Sequence, residues 1–423
     1  MPEFLTLLPP DEARARLLSH LPAGTVDSEP VNVIASVGRV LAEDIHAPHS
    51  LPEFERSTVD GYAVRARDTF GASDSQPAYL TLIGEAPMGV APAFEIEPGQ
   101  CALIHTGGML PGGADAVAML EYSQKTREVS KDLAGLSQEI EIFRAVAEGE
   151  NVIRVGEDVV AGQAILPKGR VMRPAEIGGL LALGITSARV GRLVRVGLIS
   201  TGDEIVDPSQ HPHAGQVRDV NSYTLSALIE KSGGVAKRFG IIRDQFEALK
   251  DAAARALSEC DMVVITAGSS ASTRDMTADV IRSLGEPGAL VHGINTRPGK
   301  PTILGVCDGK AVIGLPGNPV SALVNGYLFV LPVIEKLLGA LPGPKPTVPA
   351  RLTVNLPSQA GREDWCPVNL IVNRQSSIVN YEADPVFGKS NLIFTLANAD
   401  GLLRIPPDAT GLSAGELVEV ILI

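Results

Sequence analysis

The 423-residue chain is 45% hydrophobic and 20% charged with a formal net charge of −13, which describes a folded globular protein and excludes a disordered one. The acidic balance argues against nucleic acid as the main partner, because nucleic-acid binders carry a basic face, so any anionic ligand must meet locally concentrated Arg and Lys. Four scattered cysteines (Cys101, Cys260, Cys307, Cys366) without a Cys-x-x-Cys pair exclude a disulfide framework and a cysteine zinc site.

The opening "MPEFLTLLPPDEARARLL" carries Pro and acids early and lacks a basic segment followed by a long apolar one, so no signal peptide is expected. Residues 9–20 predict a helix with Asp11 and Glu12 in its first turn and Leu17-Leu18 on the apolar side. From 47 to 160 the chain alternates short strand-like runs with Gly/Pro turns, and "EIEIF" shows the period-2 pattern of β structure. "RPAEIGGLLALG" then predicts a second helix opened by Pro174 and ended by Gly184. The pattern reads as a β-rich insertion, 47–160, between two pieces of one domain, 1–46 and 161–194.

From 195 strands and helices alternate. "RVGLIST", "AKRFGII", "DMVVIT" and "AVIGL" read as strands. "NSYTLSALIEKSGG" places Leu225, Leu228 and Ile229 at helical spacing before Gly233-Gly234, and "QFEALKDAAARAL" places Phe246, Leu249, Ala253 and Ala256 on one helix face. Such alternation predicts a parallel sheet covered on both faces, with ligands at the carboxyl ends of its strands. Residues 195–344 are assigned to this α/β domain. The apolar run "VSALVNGYLFVLPVIEKLLGAL" is broken by Asn325, Gly326, Pro332, Glu335 and Lys336 and reads as a buried helix, not a membrane span. A cytoplasmic protein is expected. Residues 345–423, with "RLTVNL", "CPVNLIV", "SIVNY", "NLIFTL" and "LVEVILI", read as a small β-barrel or sandwich.

The carboxyl ends of the predicted strands carry the polar chemistry. They deliver Thr201-Gly202-Asp203-Glu204, Arg243-Asp244, and the stretch Ala267 to Asp275 with Ser269 and Ser270. The last delivers Pro316-Gly317-Asn318-Pro319, where Asn318 suits an N-cap and Pro319 the first helical position. Each is also an ordinary helix cap taken alone. Four on one rim favour a site in which hydroxyls and loop amides cradle an oxyanion and Asp244 and Asp275 hold Mg²⁺. "INTRPGKPTILG" supplies Arg297 and Lys300 around a stiff Pro-Gly turn, either a solvated basic turn or a pair of fixed cations for an anion. His211-Pro-His213 has no accompanying Cys or His cluster and is not taken as a metal site.

These residues recur in a known order. "STVDGYAV" (57–64), "GEAPMG" (84–89), "IHTGGMLPGGADAVAMLE" (104–121), "GEDV" (156–159) and "ISTGDEI" (199–205) are followed by "GQVRDVNSYTLSALI" (215–229), "GIIRD" (240–244), "RPGKP" (297–301) and "GLPGNPVSA" (314–322). The chain resembles, over nearly its whole length, the molybdopterin molybdenumtransferase family of molybdenum-cofactor biosynthesis, related to gephyrin E-type domains. It departs from the family in carrying "TAGSSASTRD", with Ala267 and Ser272 at two usual glycine positions, and Arg297 where relatives often have Lys.

The resemblance implies a four-part homodimer: a segmented linking domain, an inserted β domain, a molybdopterin-binding α/β domain and a C-terminal barrel. It implies use of adenylylated molybdopterin and molybdate, Mg²⁺-dependent hydrolysis and release of AMP. By analogy, Asp60, Thr106 and Asp158 of one subunit would face Glu204, Asp244, Asp275, Arg297, Lys300, Pro316 and Pro319 of the other. A molybdopterin adenylyltransferase is the implied partner. The alternatives are a metal-dependent pyrophosphohydrolase acting on another dinucleotide and a non-catalytic pterin-binding scaffold.

Overall fold

The structure, a computed structural model, describes residues 7–126, 138–267, 271–373 and 380–423; the side chains of residues 271–275, 373 and 380 lie outside that description. It contains two compact units, one of residues 1–43, 168–177 and 186–423, the other of residues 44–167 and 178–185.

The second unit is built on a six-stranded sheet ordered Ala116–Met119, Gly61–Val64, Gln100–Ile104, Ala78–Glu85, Gln138–Ile142, Ser123–Lys125. Tyr62, Val64, Leu80, Cys101, Ile140 and Ile142 form its core, so the "EIEIF" alternation marks a strand with one buried face.

The first unit holds the α/β domain. Its strands are β1 (Val194–Thr201), β2 (Gly234–Ile242), β3 (Met262–Ala267), β4 (Pro287–His292), β5 (Ile303–Cys307) and β6 (Lys310–Pro316), in the order β2-β1-β3-β6-β5-β4. Strand β3 is buried throughout: Met262 and Val264 join the core on one face, Val263 and Ile265 that on the other, which is why it reads as a continuous apolar run. Helices α1 (Asn221–Lys231), α2 (Phe246–Glu259) and α3 (Ala271–Ser283) lie between the strands in sequence. The expected strands and the first two helices are present. The sheet is mixed, however: β5 runs antiparallel to β6 and to β4. The β5–β6 hairpin turns at Asp308-Gly309, both at positive φ (50° and 81°), as a two-residue turn of this hand requires. The polar stretch expected as a loop to Asp275 becomes helical at Ala271.

After β6, α4 (Pro319–Asn325) passes through a π-helical turn, Gly326–Val330, into α5 (Leu331–Leu338). Residues Pro319–Leu338 are long and apolar enough to cross a membrane, but 67% of their most apolar window is buried inside the protein. Val320, Val324, Phe329, Val333 and Leu337 pack in the larger core.

The C-terminal region is a closed five-stranded barrel of β7 (Thr347–Leu352), β8 (Glu363–Asn373), β9 (Asn380–Pro385), β10 (Gly401–Ile405) and β11 (Leu417–Leu422), closed by β8 pairing with β10. "NLIFTL" is not a strand; Phe394–Ala397 is a short helix, and the missing strand is β10. A sixth strand joins the barrel from outside. Thr296 and Arg297 pair in parallel with Glu363 and Asp364, binding the cationic turn of the α/β domain to the barrel wall.

Candidate functional site

The order β2-β1-β3 places a switch point between β1 and β3, where successive connections leave in opposite directions and a crevice opens at the carboxyl ends. The hydroxyl of Thr201, ending β1, donates to Asp244 Oδ1 at 2.7 Å, and the Gly202 amide donates to the Ile242 carbonyl at 3.3 Å. One step inward, buried Asp219 accepts from the Ser200 hydroxyl at 2.7 Å, the Ser222 hydroxyl at 2.6 Å and the Ser222 amide at 3.1 Å. This network anchors the start of α1 to the end of β1. Sequence reasoning passed over Asp219; "RDVNS" before a helix was its only signal. Glu204 is exposed and its side chain folds back over Gly202.

Asp244 offers oxygen donors together with Thr201, a donor set that suits a hard cation such as Mg²⁺. Its expected companion Asp275 lies in the first turns of α3 with its side chain outside the described residues, and Ser269 and Ser270 lie outside them altogether. Among the described residues no group of three His, Cys, Asp or Glu side chains is gathered for a metal.

A second opening lies between the α/β domain and the barrel. It is a cleft of about 930 Å³ lined on one side by Arg297, Lys300, Pro316 and Asn318, and on the other by Arg362, Asp364, Trp365, Phe387, Lys389 and Ser390. Among the described lining residues four cations face one carboxylate, Asp364, a local reversal of the chain's acidic balance. Arg362 grips Asp364 with two hydrogen bonds, Nε to Oδ1 at 2.7 Å and Nη2 to Oδ2 at 3.1 Å. The indole Nε1 of Trp365 donates to buried Glu363 at 2.7 Å, which Arg404 also engages. Burial pushes the Cys366 thiol in the cleft wall up to about 11, so it stays protonated at neutral pH.

The cationic turn is rigidly held. Asn325 Nδ2 donates to the Pro298 carbonyl at 3.3 Å and to the Ser321 carbonyl at 2.8 Å. Thr302 donates through its hydroxyl to the Gly299 carbonyl at 2.8 Å.

The Pro-Gly-Asn-Pro turn corrects one expectation. Asn318 occupies the N-cap position in extended conformation with Pro319 next, but its side chain makes no capping bond. Pro319 has no N–H, and the Val320 amide donates to the Ser390 carbonyl at 3.0 Å. A barrel segment thus takes the leading amide of α4, and Arg297 and Lys300 stand beside this turn in the cleft lining.

In the other unit, Asp60 and Thr106 are brought together: the Thr106 amide donates to Asp60 Oδ1 at 2.8 Å and its hydroxyl lies at 3.3 Å. The Thr106 amide holds the Asp60 carboxyl below the usual carboxylate range, helped by the Thr106 hydroxyl and by His105. His105, missed from the sequence, lies between Asp60 (3.5 Å) and Glu85 (3.2 Å). Asp158 is exposed in the same unit, its amide donating to the Leu51 carbonyl.

A switch-point α/β sheet beside a cation-lined cleft, walled on its far side by a small barrel, defines a multidomain α/β protein. Residues 8–184 match the family described as MoeA N-terminal region (domain I and II), 197–336 the probable molybdopterin binding domain, and 349–423 the MoeA C-terminal region (domain IV). The chain is 34% identical over 403 residues to a molybdopterin molybdenumtransferase of Nostoc sp., covering 93% of this chain and 88% of that one. It is 33% identical over 413 residues to that of Haemophilus influenzae, covering 97% of each. The crystal structure of a molybdopterin biosynthesis moeA protein from Pyrococcus horikoshii matches with a TM-score of 0.83 at 33% identity, covering 99% of this chain and 100% of that one. The chain belongs to the molybdopterin molybdenumtransferase (MoeA) family.

Proposed function

We propose that this protein is a transferase of molybdenum-cofactor biosynthesis that inserts molybdate into adenylylated molybdopterin: water cleaves the adenylyl link and AMP leaves, while the two dithiolene sulfurs replace one oxygen of molybdate, which departs with the thiol protons as water. The observation that carries the reading is the convergence of Arg297, Lys300, Arg362 and Lys389 on one cleft of an otherwise acidic chain. Arginine forks and lysine point charges hold tetrahedral oxyanions by charge-assisted hydrogen bonds, each contributing roughly 1.5–3 kcal/mol. Trp365 and Phe387 in the same walls offer apolar surface to a flat heterocycle.

In this reading Asp244 and Asp275 hold Mg²⁺, which when bound neutralises phosphate charge. Thr201 fixes the Asp244 carboxylate through its hydroxyl. Pro316, Asn318 and Pro319 shape the floor beside the cations, while Glu204, Ser269 and Ser270 belong to the rim. Asp60, kept ionised by the Thr106 amide, and Asp158 come from the partner of a homodimer and complete the cleft. The four-part domain division, a cytoplasmic location and supply of substrate by a molybdopterin adenylyltransferase belong to the same reading.

Lys300→Ala tests it. Molybdate-dependent AMP release should then need on the order of tenfold more molybdate, and added salt should raise the requirement in the native protein. An unchanged molybdate requirement would place the oxyanion elsewhere.

A further inference from the structure

The barrel side of the cleft contains a carboxylate where an anion site would be expected to exclude one. Asp364 is 6% exposed and lies in β8 directly opposite Arg297 in the strand pairing. Its two oxygens accept from Arg362 Nε at 2.7 Å, Arg362 Nη2 at 3.1 Å and the Ser358 hydroxyl at 3.0 Å, and Arg297 Nη1 stands 3.6 Å from Oδ2. Three protein hydrogen bonds thus fall on those oxygens, and both arginines lie against Asp364.

A guanidinium has five N–H donors in a fixed plane. Asp364 takes the side edge, Nε with Nη2, and Gln359 accepts from Nη1 at 3.3 Å. Two donors remain, one on Nη1 and one on Nη2, and Arg362 lines the cleft. We infer that Asp364 is a positioning residue that presents these two donors of Arg362 to the oxyanion and restrains Arg297 beside it, joining one cation of the α/β domain and one of the barrel into a single clamp.

This inference rests on the proposed oxyanion site. It differs from a plain counter-ion role in sign: neutralising a counter-ion relieves repulsion and tightens anion binding, whereas losing a positioning group frees both arginines and weakens it.

The test uses the full chain and molybdate alone, with retention measured by equilibrium dialysis. Fluorescence gives a second readout, because the chain has one Trp and it lines the cleft. Asp364→Asn should raise the dissociation constant for molybdate about tenfold. Asp364→Glu keeps the charge but moves it by one methylene, and it should weaken binding too. Native or tighter binding in either variant, with Arg362→Ala losing molybdate, overturns the inference and leaves the site standing. Native binding in both Arg362→Ala and Lys300→Ala removes the site and the inference with it. A fall in thermal stability without a change in affinity assigns Asp364 a structural role only and likewise overturns it.

Discussion

Asn325 Nδ2 lies 3.3 Å from the Pro298 carbonyl oxygen, so the last residue of α4 is bonded to the middle of the turn that carries Arg297 and Lys300. The approach exists because residue 299 is glycine. Its φ is +103°, and a Cβ there would fall 1.7 Å from Asn325 Nδ2. Fully buried Asn325 cannot move aside in a close-packed interior.

Gly299→Ala should therefore combine left-handed strain with overpacking and cost at least about 2 kcal/mol. Thermal unfolding should fall clearly, and molybdate-dependent turnover should fall further than unfolding alone accounts for at a temperature where the variant is folded. A variant with native melting and native turnover would show that the turn is not held as described.

Much of the α/β domain was legible. Leu225, Leu228 and Ile229 at helical spacing and the stop at Gly233 define α1 as observed, with Gly233 at φ +85°. The misses have physical causes. Asp308-Gly309 is a hairpin signal, yet the short runs flanking it gave no period to separate an antiparallel pair from a βα unit. "ASTRD" reads as a polar loop because its helix is fixed by tertiary packing of residues further on, such as Ala278, Val280 and Ile281. Arg297 and Lys300 were legible as cations, but Arg362 and Asp364 were not. Their place in the cleft depends on Thr296–Arg297 pairing with Glu363–Asp364, 67 positions away, and such long-range register leaves no local pattern. The Pro-Gly-Asn-Pro turn was legible as a helix start, whereas Ser390 as acceptor for the Val320 amide was not.

Glu176, buried with its carboxylate against Arg173 and Arg170, gives an acid-limb prediction. The Arg173 hydrogen bonds outweigh the burial penalty and, with Arg170, lower its carboxyl from 4.5 to about 2. A depressed folded value means that this stability is present above the unfolded value near 4.5 and is lost as pH falls towards 2. Glu176→Gln should be less stable than the native protein at neutral pH, and the difference should shrink across that window. Melting temperatures recorded from pH 7 down to pH 2 check this. A constant difference would contradict it.

The shared-cleft reading predicts complementation. Asp60→Ala and Asp275→Ala should each be inactive alone, yet mixed after verified subunit exchange they should regain activity, because heterodimers hold one intact cleft. Absence of any recovery would assign both residues to a cleft made within one chain.

The most direct measurement incubates the purified native chain with adenylylated molybdopterin and Mg²⁺, with and without molybdate, and assays AMP and metallated cofactor together. The account predicts that both products appear in step and depend on molybdate, and that excess chelator abolishes them. AMP released equally well without molybdate, or substrate bound with neither product formed, would contradict it.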